Sequence, residues 1–101
     1  MAEDEQALLF AVSHDTNVNV RLSAVDALQK YAGNPEVLRA MLDAIPVQES
    51  PMVQIALIDM LVQLNATGAV PGLAKLSRDK QVVDVVQQRA AWALQKMGTA
   101  R

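Results

Sequence analysis

Three stretches of the chain carry one pattern of apolar and polar positions. Residues 18–31 (VNVRLSAVDALQKY), 51–64 (PMVQIALIDMLVQL) and 84–97 (DVVQQRAAWALQKM) align without a gap at an offset of 33 residues. Val20, Val53 and Val86 fall in register, as do Ala24, Leu57 and Ala90. Leu28, Leu61 and Leu94 follow, then Tyr31, Leu64 and Met97. A spacing of i, i+4, i+8, i+11 is one stripe of an α-helix. No period-two pattern competes with it, so no strand is expected. Three copies in one register make chance an unlikely source.

Shorter apolar stretches at residues 7–12, 37–45 and 70–76 precede the matched ones, and each reads as a shorter helix. The punctuation fits six helices. Asn34-Pro35 and Ser50-Pro51 each put a capping side chain before a proline at the first helical position. Gly33 and Gly98 stand where a left-handed residue closes a helix, and Pro46 ends the third. Glu3, Asp4 and Glu5 suit the positive end of a first helix. The expected helices lie near 3–13, 17–31, 35–45, 51–65, 68–77 and 82–97. The fold class is therefore all-α: one domain over residues 1–101, with three helical hairpins near 2–33, 34–66 and 67–98. The fourth helix is apolar nearly all round, from Met52 to Leu64, which makes the middle hairpin the expected core.

Composition narrows the function. With 51% apolar and 20% charged residues the chain is globular, not disordered. It has no cysteine, which excludes disulfides, thiolate nucleophiles and cysteine-ligated zinc. No apolar stretch is long enough for direct membrane insertion, and without a basic start before an apolar core no signal peptide is expected. A net charge of −2 disfavours nucleic acid. That charge is unevenly placed. Residues 1–59 carry nine acids against three bases, residues 60–101 two acids against six bases. A linear stack would thus have one acidic and one basic end, which allows a weak head-to-tail self-association.

Reaction chemistry is not visible. His14 is the only histidine and reads as a loop residue, so no metal site is expected. Asp26 and Asp59 sit on exposed faces a helix spacing apart, too weakly coupled for acid–base work. No phosphate loop, nucleophile elbow or metalloprotease helix occurs. The expectation is a non-enzyme with no catalytic residues and no cofactor.

Paired helices repeated at about 33 residues resemble a helical solenoid. The run Asn17-Val18-Asn19-Val20-Arg21-Leu22-Ser23-Ala24-Val25-Asp26-Ala27-Leu28 resembles the D-x-x-V-R-x-x-A-x-x-A-L pattern of HEAT repeats, and Ala69-Val70-Pro71-Gly72-Leu73 resembles their proline-bearing first helix. The resemblance covers essentially the whole chain and implies an α-α superhelix. Gln54 and Gln87 replace Arg21 in the later repeats, so the resemblance carries no arginine ladder into them. Residues 50–62 and 88–94 are also similar to the C-terminal HEAT region of bacterial anti-sigma-factor-like membrane proteins. That similarity implies a soluble regulatory tail on the outer side of the cytoplasmic membrane; without it the expected location is cytoplasmic.

In such a superhelix the second helices line the concave side. With Val20 directed into the core, Asp26 lies about 240° around its helix. Asp59 and Trp92 take the same place in the next repeats, and Leu22 and Ile55 border the row. The expected partner-binding residues are Asp26, Asp59, Trp92, Leu22 and Ile55, and the partner a basic, partly apolar peptide or protein. The alternatives are a HEAT-fold enzyme-associated protein, bilin-lyase-like or glycosylase-like, and a self-associating structural spacer. The acidic groove centre disfavours the glycosylase form.

Overall fold

The computed structural model describes residues 1–98. Its α-helices are α1 (Glu3–His14), α2 (Val18–Ala27), α3 (Pro35–Ala44), α4 (Pro51–Gln63), α5 (Val70–Arg78) and α6 (Asp84–Lys96). No strand occurs among the described residues. The helices start where short polar side chains can take an orphan backbone N–H. Asn17 accepts from the Asn19 amide, Asn34 from Glu36 and Ser50 from Val53. Pro35 and Pro51 open α3 and α5's predecessor α4, where a missing N–H costs nothing.

The ends of the second helices differ from expectation. Asn65 after α4 and Gly98 after α6 adopt φ of 51° and 73°, and they occupy one register position. Asn and Gly tolerate this left-handed conformation best. The matching residue in the first repeat is Ala32, which stays right-handed at φ −59°. There the chain tightens into a 3-10 turn over Leu28–Tyr31, and Gly33 takes no left-handed role.

Helices α2, α4 and α6 form one layer, and α1, α3 and α5 the other. α4 packs against both α2 and α6, and it buries Val53, Gln54, Leu57, Ile58, Met60 and Leu61. Packing is close along the second-helix layer and sparse along the first-helix layer. A stack held tightly on one side and loosely on the other curves toward the tight side, so α2, α4 and α6 line the concave face. The result is an α-α superhelix measuring 39 × 27 × 16 Å. On the convex side the splay leaves two adjoining clefts of about 550 and 460 Å³, which share Arg39, Leu42 and Gly68. Gly72 lets α5 come close to Leu42 of α3: a Cβ there would lie 2.5 Å from Leu42 Cδ2.

The stripe has two shoulders. Val53 and Val86 are fully buried, yet Val20 is 42% exposed, because no described repeat packs on its side. On the opposite shoulder Val25 and Ile58 are buried, whereas Ala91 is exposed, because no described repeat follows it. The reading of Val20 as a core residue is thus corrected by its place at the edge of the array.

The arginine position keeps its role without keeping its residue. The last carbonyls of each first helix lack helical partners. Arg21 Nε donates to the Asp15 carbonyl at 2.5 Å, Gln54 Nε2 to the Ile45 carbonyl at 2.8 Å, and Gln87 Nε2 to the Asp79 carbonyl. Asp15, Ile45 and Asp79 are the C-caps of α1, α3 and α5. Any side chain with an N–H of this reach closes the hairpin.

Candidate functional site

The concave layer places Asp26, Asp59 and Trp92 in one register on α2, α4 and α6, with Leu22 and Ile55 half-buried beside the row. The row is not a run of free carboxylates. Arg89 Nε donates to Asp59 Oδ1 at 2.6 Å. The same guanidinium lies over the Trp92 ring, 3.6 Å from its centroid, and Lys96 Nζ stands 5.7 Å from it. Arg89 is one helical turn before Trp92 on the same face, so it reaches back to the carboxylate of the preceding repeat. Asp26 is exposed and makes no ion pair among the described residues.

The face therefore has three zones. A free carboxylate, Asp26, lies at the first repeat. Leu22 and Ile55 supply an apolar middle, extended by Met52 at 62% exposure, although the sequence pattern had placed Met52 in the core. Met52 shares its register with Val85, 53% exposed; both stand in the first turn of a second helix, beside the stripe and not on it. A cationic and aromatic cluster of Arg89, Trp92 and Lys96 occupies the third repeat.

Elsewhere the polar residues are structural. Glu5, read from sequence as one of three acids at the positive end of the first helix, is 7% exposed. Its Oε2 accepts from Asn34 Nδ2 at 2.7 Å and its Oε1 from the Ala2 amide, which ties the first repeat to the cap of α3. His14 ends α1 instead of lying in a loop, and its ring stacks on Phe10 with centroids 4.2 Å apart. No group of three or more His, Asp or Glu residues among the described ones is placed to hold a metal ion.

The Asp59–Arg89 pair is partly solvated, with side chains 41% and 36% exposed. A double-mutant cycle with Asp59→Ala and Arg89→Ala, followed by urea unfolding, should give a coupling energy of about 0.5–1 kcal/mol, the range for exposed pairs. A coupling near zero would mean that α4 and α6 are joined by apolar packing alone.

Residues 5–99 match the family model of HEAT repeats. The chain belongs to the HEAT-repeat family. No curated protein and no solved structure matches it. HEAT repeats are generally protein-interaction scaffolds, and their fold is typically non-catalytic. The comparisons give no support to the similarity with anti-sigma-factor-like proteins. No helix of this HEAT array, among the described residues, is long and apolar enough to cross a membrane.

Proposed function

We propose that this HEAT array is a non-catalytic protein-interaction module that holds a peptide or protein segment on its concave face. The observation behind this reading is the apolar strip of half-buried Leu22 and Ile55 with exposed Met52, set between the free carboxylate of Asp26 and the Trp92 cluster. A half-buried tryptophan backed by an arginine is a pre-ordered anchor, and an apolar surface rimmed by charge is how interfaces are built. The partner of best fit is a segment with an apolar face and a basic group that meets Asp26. Asp59 plays no direct part, since Arg89 already neutralises it.

Site-specific photo-crosslinking in cells tests the reading. Crosslinkers placed at Gln29 and Gln88 on the concave layer should capture one common partner, and Arg39 on the convex layer should not. Asp26→Lys and Trp92→Ala should each remove that product while helicity and melting temperature hold. Equal capture from the convex position, or capture that survives both substitutions, counts against it. The finer placement as the tail of an anti-sigma-like regulator rests on residues 50–62 and 88–94. A zinc-binding segment and an apolar helix encoded upstream of Met1 would support it.

A further inference from the structure

The convex groove between α3 and α5 stays open inside the array, and the turn after α4 completes its lining. Its first cleft, of about 550 Å³, is walled by the half-buried side chains of Leu38, Leu42 and Leu64. A cleft of that size, apolar with a few polar groups, is of the kind that takes a small molecule. Gly68, in the 3-10 turn before α5, lines this cleft and its neighbour. Nothing lies within 4 Å of a Cβ built on Gly68, and its backbone is not left-handed. Gly72, four residues on, has no such room, because a Cβ there would meet Leu42. Glycine at position 68 is thus required neither by a turn nor by a close approach. What its missing side chain does is leave the groove open.

The polar groups of the groove select its occupant. Arg39 is the one charged side chain that lines the first cleft. Its bond to Asp43, 3.3 Å long, joins two exposed side chains and is therefore weak. Asn65 and Thr67 line the same cleft, and each can donate to an oxygen. A carboxylate only accepts, so it suits this set of donors, and a guanidinium is its strongest partner. The second cleft is less selective, since it sets Arg39 and Lys75 against Asp43 and Asp79. We propose that the groove binds a small aliphatic carboxylate, with its head at Arg39 and its chain along Leu38, Leu42 and Leu64. No residue of the concave face lines the groove, so the proposal is independent of the concave-face reading.

Titration of the full chain with sodium octanoate, kept below its micelle concentration and followed by amide NMR shifts, tests this. The shifts should saturate and should centre on residues 32–42 and 64–69, the span of the first cleft. Acetate has the head without the chain, and octylamine carries the opposite charge. Each should bind at least about tenfold more weakly. Arg39→Gln should weaken octanoate about tenfold, through loss of a charge-assisted bond. Asp43→Asn frees Arg39 and should tighten binding about two- to fivefold. Both residues are exposed, so these variants keep the fold. Gly68→Leu should fill the groove and abolish saturable shifts, while circular dichroism shows helicity and melting temperature held. Trp92→Ala should leave binding unchanged. Absence of saturation overturns the proposal, as does octylamine binding as tightly as octanoate. Binding that survives Gly68→Leu, or shifts centred on α2 and α6, overturns it equally.

Discussion

Leu61→Ala should destabilise the protein by about 2–5 kcal/mol, the range for emptying a well-packed leucine site. Leu61 is fully buried, as are Leu57 and Ile58 on the same helix. That helix touches α2, α3 and α6, so a cavity there loosens both neighbouring repeats at once. Three repeats are about the fewest that stand alone, so a defect in the middle one weakens the whole array. For a chain of this size each kcal/mol lowers the melting temperature by about 4–8 °C. Urea and thermal unfolding of Leu61→Ala beside Met52→Ala make the comparison internal. Met52 is on the same helix but 62% exposed, so its loss should stay within about 0.5 kcal/mol. Equal losses at the two sites would show that α4 is not the centre of the stack.

That α4 holds the centre was legible in the sequence, because its apolar residues outnumber those of the matching helices. The 33-residue register was legible too, since a stripe repeated in phase is a property of the chain alone. Which members of the stripe are covered was not. Val20 and Val53 are the same residue at the same register, and they differ only in whether a described repeat lies before them. Helix ends were read from glycine, which found Gly98 and missed Asn65. The signal was present: Asn65 stands 33 residues before Gly98, and Asn is the other residue that accepts a left-handed turn.

The candidate face was legible as a set of positions but not as a pattern of charge. The register placed Asp26, Asp59 and Trp92 together. It did not reveal that Arg89, one turn before Trp92, would take Asp59 out of the row. Counting back one turn along the later helix would have exposed the pair, since opposite charges on adjoining helices at that offset are within reach. Met52 was assigned inward because it is apolar, yet a residue beside the stripe at a helix start has no second layer above it. Apolar character alone does not fix burial.

Gln48→Ala should cost about 2–3 kcal/mol, through hydrogen bonds and not through packing. Gln48 reads as an ordinary polar residue in the turn between α3 and α4, but it is 7% exposed. Its Nε2 donates to the Val12 carbonyl at 2.8 Å, one of the orphan carbonyls at the end of α1. Its Oε1 accepts from Arg21 Nη1 at 2.7 Å and from the Ser50 amide at 3.3 Å. One side chain of the second repeat thus closes the end of α1 and holds the arginine that caps it. Alanine strands all three partners in a place water reaches poorly, and a buried group left unpaired costs more than its bond contributes. Gln48→Glu should be milder, because it keeps an acceptor for Arg21 and strengthens that bond by charge while losing the donor to Val12. Hydrogen exchange should locate the damage: amides of α1 and α2 lose protection in Gln48→Ala, while those of α5 and α6 keep theirs. Uniform loss across all six helices would mean that Gln48 supports the whole stack and not the junction of its first two repeats.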